Sequence, residues 1–66
     1  MNNIVKQLRK EAGLRQEDFA KELNVTRQTI IAIENNKYNP TLELAMKIAK
    51  FLNKPVEEIF FLDGND

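Results

Sequence analysis

The sequence predicts an all-α fold, a compact domain of five short helices, and three observations indicate it. Apolar residues recur every three or four positions in successive segments, which is the spacing of one helix face. Residues suited to starting or ending helices, among them Gly13, Asn24 and Thr41, separate these segments. With 66 residues, 42% of them hydrophobic, the chain has material for one small core and no second one. We therefore expect residues 1–66 to form a single domain.

The first helix is expected from about Asn3 to Ala12. One apolar stripe runs along it, made of Ile4, Val5, Leu8 and Ala12. Gly13 is expected to end this helix, because glycine adopts the left-handed backbone conformation of a C-terminal cap at little cost.

Residues 15–37 are the most informative segment, since they predict two short helices joined by a tight turn. The apolar positions are Phe19, Ala20 and Leu23 in the first helix, and Ile30 and Ile33 in the second. Asn24 suits the turn because asparagine tolerates the left-handed conformation, and Thr26 can cap the next helix through its side-chain oxygen. Helices this short are marginal alone, so the rest of the chain is expected to support them.

The outer side of the third helix carries a set of side chains that can read DNA bases. With Ile30 and Ile33 turned inward, the residues left on that side are Arg27, Gln28, Ile31 and Ala32. Arginine matches guanine, glutamine matches adenine, and apolar groups match the thymine methyl in the major groove. From the residues alone, an ordinary solvated helix face explains this surface equally well.

A fourth helix is expected from its cap Thr41 to about Asn53, and a short fifth helix begins at Lys54-Pro55. The inward stripe of the fourth helix is predicted to be Leu42, Ala45, Ile48, Ala49 and Leu52, with Leu44, Met46 and Phe51 outside it. The apolar residues that follow are Val56, Ile59, Phe60, Phe61 and Leu62. Either they all close the core, with Phe61-Leu62 forming a short strand pair with the N-terminal segment, or part of them forms an interface between subunits.

Composition excludes several classes of function. The chain has no cysteine and no histidine, which removes disulfides, thiolate nucleophiles and the usual zinc sites and fits a reducing cytoplasm. No nucleophile, base and orienting group can be assembled, so we expect neither catalysis nor a cofactor. No apolar run has the length of a signal peptide or a membrane span, and no small-molecule effector pocket is evident.

The net charge is zero, but the charges are unevenly distributed. The first 40 residues carry seven basic and five acidic groups, whereas residues 41–66 carry three and five. This modest asymmetry suits a local patch that faces DNA, and it predicts weak non-specific affinity, so that dimerisation would matter for tight binding.

The chain resembles the Cro/CI-type helix-turn-helix family, also called the XRE family, from Ile4 to Phe60. The matching positions are Gln16, Ala20, Asn24-Val25-Thr26, Ile30, Ile33 to Lys37, and Pro40. Asn24 and Asn36 stand where this family usually has glycine, and both still permit a positive φ.

The resemblance implies a phage-repressor-like domain that binds double-stranded DNA as a sequence-specific transcriptional regulator. It would be a repressor that binds a palindromic operator as a homodimer, with the third helix in the major groove. The residues expected to read bases are Arg27, Gln28, Ile31 and Ala32. Those expected to hold phosphates are Arg15, Gln16, Thr26, Thr29, Asn35, Lys37 and Tyr38.

Two further expectations concern structure and assembly. The resemblance implies a partly buried ion pair between Arg9 and Glu34, and a dimer interface with Pro40 and Val56 near its centre. Ile59 and Phe60 are expected to lie in that interface as well. The alternative function is an antitoxin-like or adaptor module that binds protein through the surface around Phe51, Phe60 and Phe61. The presence of Arg27, Gln28 and Lys37 on the predicted reading face favours the regulator.

Overall fold

The computed structural model describes residues 1–63. Its elements are strand β1 (Asn2–Asn3), helices α1 (Val5–Glu11), α2 (Gln16–Leu23), α3 (Arg27–Glu34) and α4 (Leu42–Leu52), a 3-10 turn (Val56–Glu58) and strand β2 (Phe60–Phe61). The fold is thus mainly helical, with one small antiparallel sheet.

The prediction of a fifth helix is wrong, because within the described residues the segment after Pro55 forms only a single 3-10 turn. The amides of Glu58 and Ile59 donate to the carbonyls three residues earlier, at 3.1 and 3.0 Å, and no α-helical bond follows. The chain cannot continue as a helix there, since Phe60 and Phe61 are extended and paired with β1. Phe60 pairs with Asn3 and Phe61 with Asn2, one residue earlier than the predicted Phe61-Leu62 pairing.

The same sheet shortens the first helix at its beginning. Asn3 is in a strand, and its side-chain oxygen accepts a hydrogen bond from the Val5 amide at 3.0 Å, so α1 begins at Val5 rather than Asn3. Ala12 caps the other end and is exposed, so it does not belong to the apolar stripe as predicted. Gly13 follows with φ +76°, and the Leu14 amide donates back to the Arg9 carbonyl at 3.1 Å.

The turn between α2 and α3 forms through the left-handed residue and the helix cap that the sequence predicts. Asn24 is left-handed, with φ 58° and ψ 43°, and the next amide, that of Val25, donates to the Ala20 carbonyl at 3.0 Å. The Thr26 hydroxyl then accepts from the Thr29 amide at 3.2 Å and caps α3. These local bonds set the direction in which α3 leaves the turn.

The core lies between the four helices and the 3-10 turn. Its largest fully buried side chains are those of Val5, Phe19, Ile30, Ile33, Ile48 and Ile59. Ile30 and Ile33 therefore fix the inner side of α3, and the opposite side is left to solvent.

The inward stripe of α4 differs from the prediction at its first turn. Leu44 is 8% exposed and belongs to the core, whereas Leu42 is 74% exposed and points outward with Met46. Further along α4, the Phe51 ring packs edge-on against Phe19, with ring centroids 5.6 Å apart, although it stays partly exposed.

Among residues 1–63 the longest helix has 11 residues, and none is long and apolar enough to cross a membrane.

Candidate nucleic-acid interface

Helix α3 presents its first turn to solvent. Arg27 and Gln28 are both exposed, and the half-buried Ile31 and Ala32 follow one turn later on the same side. Ile30 and Ile33, on the opposite side, have no exposed surface. An exposed guanidinium and amide at the start of a short, capped helix have the size and donor pattern needed to reach base edges in a major groove.

Two hydroxyls border this first turn. The Thr26 and Thr29 hydroxyl oxygens lie 3.0 Å apart, with Thr26 exposed and Thr29 half-buried. Since a threonine hydroxyl can donate one hydrogen bond and accept others, the pair keeps the capacity to contact a phosphate oxygen.

A polar cleft of about 400 Å³ lies beside α3, where the end of α1 and the start of α2 come together. Arg9, Arg15, Gln16, Glu17 and Arg27 line it. It brings together the predicted base-reading Arg27 with Arg15 and Gln16, two of the predicted phosphate ligands. Guanidinium groups suit a phosphate through both charge and donor geometry. Arg9 and Arg15 are paired with carboxylates, so the net positive charge of the cleft comes chiefly from Arg27.

Arg15 is paired with two carboxylates at the start of α2. Its side chain contacts Asp18 at 3.0 Å and Glu17 at 3.1 Å. The Asp18 carboxylate also accepts from the Arg15 backbone amide at 3.2 Å, which satisfies one unpaired donor at the helix start. The side-chain hydrogen bond from Arg15, reinforced by its backbone amide, lowers the pKa of Asp18 below its ordinary value. The Asp18 and Glu17 carboxylates likewise raise the pKa of Arg15.

Behind the cleft, Arg9 and Glu34 form a buried ion pair. Arg9 Nε donates to Glu34 Oε2 at 2.7 Å and Nη2 to Oε1 at 3.3 Å, while Nη1 donates to the Leu14 carbonyl at 2.7 Å. The two side chains are 7% and 2% exposed. Gln16 Nε2 also donates to Glu34 Oε1 at 3.1 Å, so this predicted phosphate ligand is held by the pair and keeps a second amide proton for other contacts.

The C-terminal end of α3 leads into the remaining predicted phosphate ligands. Asn36 is left-handed with φ 58°, and the Lys37 amide donates to the Ala32 carbonyl at 2.9 Å. Asn35 and Lys37 are exposed, and Tyr38 is 44% exposed. These three side chains lie at the opposite end of α3 from Arg27.

Sequence reasoning missed the attachment of this end to the N-terminal strand. Asn3 Nδ2 donates to the Ile33 carbonyl at 2.9 Å and to Asn36 Oδ1 at 3.1 Å. Asn36 Nδ2 in turn donates to Asn2 Oδ1 at 3.4 Å. An asparagine near the start of a chain carries no local signal for a partner 30 positions away, so no sequence pattern could have indicated it.

The residues predicted for the dimer interface are not all available to a partner. Ile59 and Phe60 are 0% and 6% exposed and pack in the core of the subunit, so their side chains cannot be placed in an interface as expected. Pro40 and Val56 are half-buried and keep surface that a partner can contact.

Comparison with known proteins finds a family model and several transcriptional regulators that are similar to this chain. A family model described as "Helix-turn-helix" matches residues 5–59. A protein of Methanocaldococcus jannaschii, named "Uncharacterized HTH-type transcriptional regulator MJ0272", is 52% identical over 66 residues, all of both chains. The HTH-type transcriptional regulator YgzD of Bacillus subtilis is 44% identical over 63 residues, 96% of each chain. The cryptic phage CTXphi transcriptional repressor RstR of Vibrio cholerae is 36% identical over 55 residues, 83% of this chain and 50% of that protein.

Proposed function

The chain belongs to the helix-turn-helix family of transcriptional regulators, as its XRE-type resemblance indicates, and from that premise we propose that it binds one palindromic DNA operator as a homodimer and represses transcription there. Residues 1–66 would act as a single DNA-binding domain, with α3 in the major groove. The observation that carries the proposal is the exposure of Arg27 and Gln28 directly above the buried Ile30 and Ile33.

The contacts divide into two groups. Arg27, Gln28, Ile31 and Ala32 read base edges, and the side chains around them hold the phosphate backbone. The proposed phosphate ligands are Arg15, Gln16, Thr26, Thr29, Asn35, Lys37 and Tyr38. They flank both ends of α3, so they fix its position and angle on the duplex while leaving sequence choice to its first turn.

The size of the subunit suits a paired site. Its longest extent is 33 Å, and half-sites one helical turn apart are separated by about 34 Å. Two subunits of this size fit side by side on one face of the DNA, and the proposal places their α3 helices in successive major grooves. The phage repressor among the relatives supports repression, in which the bound dimer blocks access of polymerase to the promoter.

The proposal assigns the protein no catalytic activity, no cofactor and no small-molecule effector, and it places the protein in the cytoplasm with its DNA. Regulation would then act through protein concentration, a partner protein or turnover.

A gel-shift assay on the promoter DNA next to its own gene, at two salt concentrations, tests the proposal. Specific binding that weakens steeply with salt supports it, because phosphate contacts release counterions. Binding only to a co-expressed protein, and not to that DNA, would favour the adaptor or antitoxin-like function instead.

Gln28→Ala gives the residue-level test. The variant should lose about 1–3 kcal/mol of binding free energy at each half-site of the operator and relax the preference for one base pair there. Gln7→Ala is the matched control, since Gln7 is an exposed glutamine on α1, where it bonds to Glu11. An unchanged footprint and affinity for the Gln28 variant would count against the assignment of α3 as the reading helix.

A further inference from the structure

The outer side of α4 carries an apolar surface that the core does not use. Leu42 and Met46 lie one helical turn apart and are 74% and 57% exposed. They line a shallow hollow of about 510 Å³ together with Glu43, Lys47 and Lys50. We call these five residues the α4 patch. Single exposed apolar residues are ordinary, but two stacked on one helix face form a continuous strip that favours contact with another surface.

Charged residues of the α4 patch lie on both sides of its apolar centre. Glu43 lies three residues before Met46 and Lys50 lies four residues after it, so both flank the centre on the same side of the helix. Within the helix, Glu43 also contacts Lys47, with 3.3 Å between the carboxylate and the ammonium nitrogen. One end of the patch is therefore acidic and the other basic.

We propose that a second copy of this chain covers the α4 patch, with the two α4 helices antiparallel around a twofold axis near Met46 and Glu43 of each subunit facing Lys50 of the other. A twofold axis perpendicular to a helix reverses the direction of its copy. A residue three positions before the axis therefore meets one about three or four positions after it. The same operation brings Met46 next to its own copy and forms the Glu43–Lys50 contact twice.

Self-complementarity is the reason for choosing a second copy as the occupant. The patch presents opposite charges about one helical turn on either side of its centre, an arrangement that suits an isologous interface. A DNA backbone would be repelled by Glu43, and an acidic protein surface that matched Lys47 and Lys50 would meet the same carboxylate. This inference rests on the proposed function, since a palindromic operator needs a twofold axis between the subunits.

The size of the patch predicts a weak dimer. Helix α4 has 11 residues, about 16 Å in length, and a stable interface buries about 800 Å² per partner. A second hollow, lined by Ala49, Lys50 and Pro55 among others, continues the surface toward the 3-10 turn. The dimer should therefore depend on concentration in solution and be completed when both subunits bind DNA.

A charge exchange tests the proposed pairing. In Glu43→Lys and Lys50→Glu, both symmetric contacts change from attraction to repulsion. Because each exposed pair of either sign changes an equilibrium by a few-fold, the dimer dissociation constant of each variant should rise about ten- to a hundredfold. Sedimentation equilibrium at low salt, from micromolar to millimolar protein, measures it. Glu11→Lys, on the exposed face of α1, makes the same change of charge away from the patch and should dimerise like the unmodified chain.

Mixing the two charge variants is the decisive step. One subunit then carries two lysines and the other two glutamates at positions 43 and 50, so both contacts become attractive again and a heterodimer should form at close to the original affinity. Met46→Gln should also weaken the dimer several-fold while changing the thermal midpoint of the monomer little, because Met46 is largely exposed and glutamine has a similar helix propensity.

The outcomes separate this inference from the proposed function. The inference is overturned if the chain stays monomeric with and without the operator, if the charge variants dimerise normally, or if their mixture does not restore the dimer. Normal operator binding by dimeric charge variants would leave the proposed function intact and exclude only this interface. Restored dimers that bind no DNA would support the interface and contradict the proposed function.

Discussion

Replacing Glu34 by alanine should destabilise the fold by about 3–5 kcal/mol, because the change leaves the buried Arg9 charge without a counter-ion. Arg9 is 7% exposed at its side chain, and two of its three hydrogen bonds end on Glu34. After the substitution only the bond from Nη1 to the Leu14 carbonyl remains. A domain of 66 residues has a total stability of about 3–10 kcal/mol, so the variant should be close to unfolded at room temperature.

Urea unfolding followed by far-ultraviolet circular dichroism measures this loss as a change in midpoint at constant slope. Gln16→Ala is the first control, because Glu34 also accepts a bond from Gln16 at 3.1 Å. The loss of that neutral-to-charged bond alone should cost about 1.5–3 kcal/mol. A loss for Glu34→Ala that clearly exceeds this value is then due mainly to the stranded charge of Arg9.

The double variant Arg9→Met/Glu34→Leu gives the stronger control. It removes both charges, leaves neither stranded, and fills the space with apolar atoms, so it should be more stable than either single alanine variant. A loss below about 1 kcal/mol for Glu34→Ala would show that water still reaches Arg9. If the double variant lost as much as the two single variants combined, the premise that the pair acts as a unit would be wrong.

Three further predictions follow from single side chains. Lys37→Ala should weaken binding to all DNA sequences alike and lower the slope of log K against log salt by about two, one for each subunit of the dimer, as titrations at several salt concentrations would show; a loss confined to one sequence would contradict its phosphate role. The pKa of Asp18 is lowered from an ordinary 3.8 in the folded chain, so its contribution to stability is present above that value and is lost as the pH falls through the folded value. Urea midpoints from about pH 5 to pH 2 should therefore fall less for Asp18→Asn than for the unmodified chain. Asn53 is left-handed with φ 58°, so Asn53→Ala should cost about 1 kcal/mol and Asn53→Gly should be neutral or stabilising in thermal unfolding.

The centre of the molecule could be predicted from sequence because its signals are local. Asn24 and Thr26 specify the turn within three residues, and the spacing of Ile30 and Ile33 then determines which side of α3 faces inward. The outward direction of Arg27 and Gln28 follows from helical geometry alone. The exposure of these two residues could therefore be predicted without knowledge of the rest of the fold.

The parts that sequence did not predict depend on distant contacts. Leu42 continues the spacing of Ala45 and Ala49, while Leu44 continues that of Ile48 and Leu52, so periodicity fits either leucine and only packing selects Leu44. The 3-10 turn was also not predicted, because it too depends on a contact between distant parts of the chain. Val56 and Ile59 have helical spacing, but pairing of Phe60 with Asn3 at the other end of the chain takes the backbone out of the helix.

The two ends of α3 differ in how they are bonded to the rest of the fold, and this difference separates stability from DNA recognition. The C-terminal end is fastened to three elements, since Glu34 bonds to Arg9 of α1 and Gln16 of α2, and Asn3 of β1 bonds to the Ile33 carbonyl. The N-terminal end is capped by Thr26, and its first turn is exposed. Substitutions at the fastened end should therefore lower stability, and with it the affinity for every DNA sequence. Gln28→Ala, at the exposed end, should change which sequence is bound while leaving the urea midpoint unchanged, because little of its side chain is lost from the packed interior.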